Sequence, residues 1–564
     1  MPASDIHRTG CSRWQVDLDW EDLLFDDRGL RLDAWRRCAR VVKQGAHRTV
    51  YRVGQSGRTF YVKRYRRSRL GDVVGNLVRG SAARREWSRA HEIARRGIAT
   101  VKPLAWAESI RGGLVRDSFF VCEAIEPSCS IDELLAGAVQ GASVAWARLR
   151  RGLIEALARF VAAMHEAGVD HNDFHAGNLL LGWQGPPGHG AGIDRSLQWF
   201  LLDVPDVRLG GPLAWPAVRR SLIMLNAGWW HRTSLTERRR FWRTYRDARP
   251  GLDLPPTRDV FEALDYGTWR YTRRLARRRD RRVWGTNRDF WALRDFCGRA
   301  HAVADFPEDQ LVALLQSPDA ILEQSHARTI KVDRSALVVR AELALSGGPV
   351  GVAYKQYRPR NRWKAFWGRF RRRRALRGWF FGNALVQRRI ATARPLAALD
   401  FPSRRRSYLA TEWIAEAENL HEYGWRLAGC GEADRFRRAC RAARSVGRLI
   451  GSLHAWQLTH GDLKGANVLV VEQEDGLPSY LIDVEDVRIG RRCDPRAQAA
   501  DLARLATSLA AHPWVSRTVV CRFFRAYAGQ FPRRIAPWKW LWRKAAARSR
   551  RMIARKRRRG SEIL

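Results

Sequence analysis

At 564 residues the chain is too long for one compact core and long enough for two domains. Hydrophobic residues make up 45% of it, which excludes a disordered chain, and the formal charge of +45 points to anionic partners: nucleic acid, anionic lipid or anionic glycan. Nine scattered cysteines with no C-x-x-C pair argue against a disulfide framework or a zinc site, the first ten residues lack a secretory pattern, and no run of about 18 apolar residues occurs, so the expectation is a cytoplasmic protein, soluble or bound peripherally to a membrane.

Residues 48–66 predict two β-strands around the turn GQSG (54–57), with Lys63 on the second strand. SAARREWSRAHEIARR (81–96) predicts a helix carrying Glu86. Residues 144–167 have the apolar spacing of a long helix that stops at Gly168. HNDFHAGN (171–178) reads as a loop, NLLL (178–181) as a short buried strand, and QWFLLDV (198–204) as a strand ending at Asp203. Between the last two, GWQGPPGHGAG (182–192) reads as a long loop.

The chain then repeats itself. FYVKRYRR (60–67) matches VAYKQYRP (352–359), and RRGIATVKPLA (95–105) matches QRRIATARPLA (387–397), both 292 residues apart. MHEAGVDHNDFHAGNLLL (164–181) matches LHAWQLTHGDLKGANVLV (453–470) at an offset of 289. FLLDVPDVRLG (200–210) matches YLIDVEDVRIG (480–490) at 280, the Gly/Pro-rich loop accounting for the change. Whole-domain duplication follows, with domains at 36–300 and 326–560 and a linker at 301–325, where ADFPEDQ and QSPDA carry turn residues.

Each copy presents one ordered set: a strand lysine, then His-x-Asp-x4-Asn, then an aspartate ending a strand. The first copy adds a helix glutamate, Glu86. This order resembles the protein-kinase-like fold, which implies an α+β architecture of a β-rich lobe followed by a helical lobe, twice over. The chemistry needs such groups: a fixed ammonium to hold phosphates, a carboxylate to aim it, hard oxygens for Mg2+, and a carboxylate near the accepting hydroxyl. The resemblance implies Asp173 as catalytic base, Asn178 and Asp203 as metal ligands, and Lys63 with Glu86 as the ATP clamp. In the second copy it implies Asp462 as base, Asn467 and Asp483 as metal ligands, Lys355 on the phosphates, and Lys464 near the γ-phosphate, where the first copy has His175. Glu123 and Glu412 fall where the backbone of a hinge would meet adenine.

REW (85–87), GIATVKPLA, HNDFHAGNLLL, LNAGWW (225–230) and WGTNRDFW (284–291) resemble the lipopolysaccharide kinase family of Kdo/WaaP type. That resemblance covers nearly the whole chain, once per half. It implies an ATP-dependent, Mg2+-requiring kinase for a lipopolysaccharide core sugar or related glycolipid, working at the inner face of the membrane. A protein kinase and a non-catalytic tandem pseudokinase are the alternatives. Lys464 favours the former, and departures from the pattern favour the latter.

Those departures are specific. The first copy has only Gly45 where a glycine-rich phosphate loop is expected, and the second has none in the stretch matched to it, EQSHARTIKV (323–332). Glu86 aligns with Gly378, and no Asp or Glu occurs between Glu342 and Asp400, so Lys355 is expected to lack a helix partner. Conversely, Asp501 resembles the helix aspartate that braces a catalytic loop, and the first copy offers Ser221 instead. The first copy is expected to be the active one. His165 and His454 are read as structural, and Asp206 and Asp486 as supports of the metal site or turn caps.

Basic runs interleaved with aromatics occur at 269–284, 358–381 and 537–560. Solvated helix faces account for most such arginines; beyond that, an anionic membrane surface or sugar-lipid is expected ahead of nucleic acid, for which no motif is present.

Overall fold

In the computed structural model of the chain, the described residues run from 6 to 558, apart from 10, 27–28, 36–37, 46, 67–79, 113, 132, 134–143, 184–196, 231–232, 256, 296–297, 334, 359–372, 404–405, 475, 491–493 and 532–537. Most of the Gly/Pro-rich loop and of the basic run 358–381 therefore lies outside them. The chain forms two compact units, Met1–Thr272 and Arg273–Leu564.

The first unit opens with an antiparallel sheet of seven strands: β1 (His7–Thr9), β2 (Ser12–Val16), β3 (Ala39–Gln44), β4 (Arg48–Gln55), β5 (Arg58–Arg66), β6 (Pro103–Arg111) and β7 (Leu114–Glu123). They lie in the order β1-β2-β6-β7-β5-β4-β3. Strand alternation sorts the residues of β5. Phe60 and Val62 are buried with Trp14, Trp20 and Trp35 on one face, leaving Lys63 and Tyr65 on the other. Helix α1 (Ala82–Arg95) covers that other face, packing Ala83 and Trp87 against Trp106 and Phe120. The Ser81 hydroxyl caps it by accepting from the Arg84 N–H at 3.3 Å.

A helical lobe follows, built on α2 (Val144–Glu166), α3 (Trp215–Trp229) and α4 (Leu235–Asp247), whose core includes Leu157, Val161, Leu222 and Tyr245. Helix α2 stops as the sequence predicts, at Gly168, which has φ +70°. A Cβ there would come within 2.0 Å of the Gly210 carbonyl oxygen, so only glycine fits.

The second unit repeats the plan with β8 (Phe290–Arg294), β9 (Arg299–Val303), β10 (Arg328–Asp333), β11 (Ala336–Leu345), β12 (Gly348–Tyr357), β13 (Pro395–Phe401) and β14 (Arg406–Glu412). Their order, β8-β9-β13-β14-β12-β11-β10, is that of the first sheet. Helix α5 (Arg374–Gln387) covers it, and α6 (Glu432–Ala455), α7 (Pro495–Leu509), α8 (Arg517–Ala528) and α9 (Trp538–Arg558) form the helical lobe. The expected α+β fold of two repeated halves is what the chain adopts. Among the described residues no helix is long and apolar enough to cross a membrane.

The boundaries differ from those read in the sequence. The first sheet begins before residue 36, because β1 pairs with β2 and β2 with β6, burying Trp14 and Val16. The second begins before residue 301, because β9 pairs with β13 and buries Ala300 and Ala302. The segment 301–325 is not a linker but core: Phe306, Leu311, Leu314, Leu315 and Ile321 are buried with that sheet.

The turn that matches the glycine-loop position also moves. Lys43 pairs with Val50 and Lys331 with Val338, each beside a bulge, so Gly45 corresponds to Asp333 at an offset of 288. EQSHARTIKV therefore leads into and forms strand β10, whose last residue, Asp333, pairs with Ala336 at the start of β11. HRTVYRV and HARTIKV are similar in sequence at a different offset from their pairing in the sheet.

Candidate active site

Why distant residues converge is a matter of two short strands. In the first unit Leu179–Trp183 pairs antiparallel with Leu197–Leu201, Leu179 opposite Leu201. The loop 171–178 enters that hairpin and Asp203 leaves it, so the Leu202 N–H donates to the Asn178 carbonyl at 2.9 Å. The hairpin of the second unit, with Val468 opposite Leu481, does the same: Ile482 N–H donates to the Asn467 carbonyl at 3.1 Å.

In the first unit the loop is held from within. The Asn178 amide donates to the Asp173 carbonyl at 2.9 Å, leaving its own side-chain oxygen available. His171 is buried, its Nε2 lying 3.2 Å from the Leu202 carbonyl, and burial holds its pKa below the ordinary histidine value. The Asp173 carboxylate is 78% exposed, and His175 Nε2 lies 3.5 Å from it.

Asp203 has φ +60° and its repeat partner Asp483 has φ +55°. A left-handed backbone costs a non-glycine residue about 1 kcal/mol or more, and both units hold it at this same place.

Above this loop, Lys63 Nζ is 2.5 Å from Glu86 Oε1, and the Tyr65 hydroxyl donates to Glu86 Oε2 at 2.5 Å. Glu86 is fully buried. Burial opposes the charge on Lys63, but Glu86, Cys122 and Asp203 outweigh it, so the ammonium titrates above its usual value. Burial likewise opposes the charge on Asp203, and Lys63 and Arg48 overcome it, so that carboxyl stays ionised below the ordinary aspartate range. Arg48 forms an ion pair with Asp203.

One cavity of about 630 Å³ brings Asp173, Asn178 and Asp203 together with His47, Arg48, Arg66, Arg85 and Arg116. Asn178 and Asp203 offer the hard oxygen donors that Mg2+ takes, and the arginines make the cavity a place for anionic groups. The carboxylate of Glu123 lies elsewhere, 3.6 Å from Lys102 in a separate cavity of about 580 Å³ with Trp20 and Arg58.

The second unit keeps the loop. The Asn467 amide donates to the Asp462 carbonyl at 2.8 Å, His460 Nε2 is 3.0 Å from the Ile482 carbonyl, and Lys464 Nζ is 3.3 Å from Asp462. Asp501 braces it as expected, accepting the N–H groups of His460 at 2.5 Å and Gly461 at 3.1 Å. In the first unit Ser221 instead accepts or donates at 2.8 Å to His165. Lys355 pairs with Asp483 rather than with its helix. The Glu412 side chain is exposed, and its N–H donates to the Arg394 carbonyl at 2.8 Å.

The model of the lipopolysaccharide kinase (Kdo/WaaP) family matches residues 33–203 and again 358–527, one match within each unit. The chain belongs to that family. The lipopolysaccharide core heptose(I) kinases WaaP of Pseudomonas aeruginosa and of Escherichia coli K12 are each 30% identical to it, over 152 and 146 residues. Those matches cover 25% of this chain and 54% of each kinase, so the chain spans about half the length of the curated relatives it matches. A solved structure of WaaP in complex with acyl carrier protein is 21% identical, covering 47% of this chain and 98% of its own, with a TM-score of 0.35. The PknI kinase domain of Mycobacterium tuberculosis is 15% identical, with coverages of 39% and 94% and a TM-score of 0.26.

Several residues of this family member's cleft escape motif reading. Tyr65 and Tyr357 stand two positions after the lysines in both copies, and the repeat itself was the available signal. Arg85 and Arg377, also 292 apart, reach Asp206 at 3.5 Å and Asp486 at 2.6 Å. Arg48 carries no such signal, since β4 and β11 place Ala336 at its position.

Proposed function

We propose that the first unit is an ATP-dependent phosphotransferase acting on a hydroxyl of a lipopolysaccharide core sugar or related glycolipid. The observation that carries this reading is the joint presence of Asp173, Asn178 and Asp203 on one arginine-lined cavity, with the Lys63–Glu86 pair held behind Asp203. Lys63, fixed by Glu86, binds the donor's phosphates and keeps them in line with the acceptor. The exposed Asp173 carboxylate orients the acceptor hydroxyl and takes its proton. Asn178 and Asp203 hold Mg2+, which supplies charge neutralisation on the transferred group when bound. Arg48, Arg66, Arg85 and Arg116 receive further anionic groups of donor or acceptor.

The glycolipid is favoured over protein as acceptor by family membership and by this concentration of guanidinium groups. The same reading brings α9 to an anionic membrane surface. Leu541, Ala545 and Ser549 are buried along one face, while Trp540 and Trp542, each 37% exposed, stand among arginines and lysines.

Incubation with γ-labelled ATP, Mg2+ and a lipid A–core extract, beside a generic protein substrate, tests the assignment. Label is expected in the glycolipid, and Asp173→Asn is expected to lower it about 100-fold or more. Label in protein alone would overturn the acceptor, and undiminished transfer by Asp173→Asn would overturn the site.

A further inference from the structure

The second unit lacks the helix glutamate, yet its lysine is not left without carboxylates. At the position of Glu86, α5 carries Gly378, and a Cβ there would lie 2.5 Å from Leu409 Cδ2. Leu409 sits opposite Lys355 in the sheet, so the space a glutamate stem would need is filled.

A different carboxylate occupies the corresponding neighbourhood. Glu485 follows Asp483 by two residues in the short helical turn Val484–Asp486 and is 3% exposed. Its counterpart in the first unit, 280 residues earlier, is Pro205. The Tyr357 hydroxyl donates to Glu485 Oε1 at 3.3 Å, and Arg374 Nη2 donates to the same oxygen at 2.8 Å. Tyr357 is the repeat partner of Tyr65, whose hydroxyl donates to Glu86 in the first unit. The same tyrosine, on the same strand face as the lysine, thus holds a carboxylate in both units; what changes is the segment that delivers it.

The other oxygen, Glu485 Oε2, is buried and has no hydrogen-bond partner among the described residues. An unsatisfied buried carboxylate oxygen is costly unless a cation comes to it. Lys355, on the same strand face as Tyr357, is the candidate ammonium: it rests on Asp483, two residues before Glu485 in the chain, while Arg374 holds the other Glu485 oxygen.

We propose that Glu485 plays in the second unit the part that Glu86 plays in the first, aiming Lys355 at phosphate once Asp483 holds Mg2+, so that the second unit is itself a nucleotide-binding site. The inference rests on the phosphotransferase reading of the first unit. It makes Glu485 a positioning residue, relocated from the helix to the loop after the metal-ligand aspartate, and it takes a nucleoside triphosphate as ligand.

The test uses the full chain carrying Lys63→Ala and Asp203→Asn, which disable the first unit, with a ribose-labelled fluorescent ATP and Mg2+ as probe. Saturable binding is expected to persist and to be lost with Lys355→Ala. Adding Glu485→Gln, which keeps the shape and removes the charge, is expected to raise Kd about tenfold or more. Installing Gly378→Glu with Leu409→Ala in that Glu485→Gln chain is expected to restore affinity, which a merely structural role for Glu485 would not allow. Should Glu485→Gln fail to fold, Tyr357→Phe carries the test, with a several-fold rise in Kd expected and an unchanged Kd overturning the proposal.

Unchanged affinity in a folded Glu485→Gln chain would also overturn it. So would a doubly substituted chain that binds no probe while the unsubstituted chain does, and in that case the reading of the first unit stands. An unsubstituted chain that binds none would bring down both.

Discussion

The two units share the loop that carries Asp173 and Asp462, and they differ in what supports it from either side. Asparagine to aspartate carbonyl is 2.9 Å in one and 2.8 Å in the other, and both strand-ending aspartates take a left-handed backbone. Around that shared centre the supports are exchanged. The first unit aims its lysine from a helix through Glu86 but braces its loop with no helix carboxylate, Ser221 standing there. The second braces its loop through Asp501 but has Gly378 on the helix, with Glu485 arriving from the loop. Duplicated domains can therefore keep a reaction centre while its outer supports drift, because a buried lysine needs a carboxylate nearby and not one from a particular segment.

The sharpest way to break this comparison is at the brace. Asp501 is buried and accepts two backbone N–H groups, so Asp501→Asn should destabilise the second unit by about 3 kcal/mol, read by urea unfolding. Ser221→Ala should cost the first unit about 1 kcal/mol. Equal losses would mean that the two braces are equivalent after all.

A smaller contrast is set by acid. His165 is fully buried, and burial first, then Arg249, draws its pKa from 6.5 down to about 3. It is neutral when folded, whereas the unfolded chain binds a proton near pH 6.5. Its contribution is therefore fully retained above pH 6.5 and falls by about 1.4 kcal/mol per pH unit below it until pH reaches about 3. Thermal melts of the full chain between pH 7 and 4 should show this slope in the transition of the first unit, and His165→Gln should flatten it.

The smallest effect concerns the turn that replaces a glycine-rich loop. Arg48 in the first unit faces Asp203, while the second has Ala336 there. Arg48→Ala should raise the KM for ATP a few-fold, on the order of 1 kcal/mol, with kcat little changed. A fall in kcat alone would place Arg48 on the transition state instead.

Much of the centre was legible because it is written in short, contiguous motifs that occur twice. His171, Asp173 and Asn178 lie in one loop, and Lys63 and Asp203 end or occupy apolar strands that periodicity reveals. The added hairpins at 7–16 and 290–303 were not legible, since strands of 3 to 5 residues show too little alternation to stand out. The end of β10 was misplaced because local similarity outweighed register, and register is fixed only by which residues pair across the sheet.

The amino-acid order alone was enough to read a duplicated kinase-like chain and to name the lysines, aspartates and asparagines expected at each centre, because such groups follow one another in a set order along strand, loop and strand. The sequence already paired Lys63 with Glu86, but only the tertiary structure shows which carboxylates gather around Lys355. Glu485 and Lys355 are 130 residues apart (485 − 355), and no spacing rule links them. Only the packing of Leu409 into the space beside Gly378, and of Tyr357 against Glu485, makes that assignment, because burial and short-range electrostatics act through space and not along the chain.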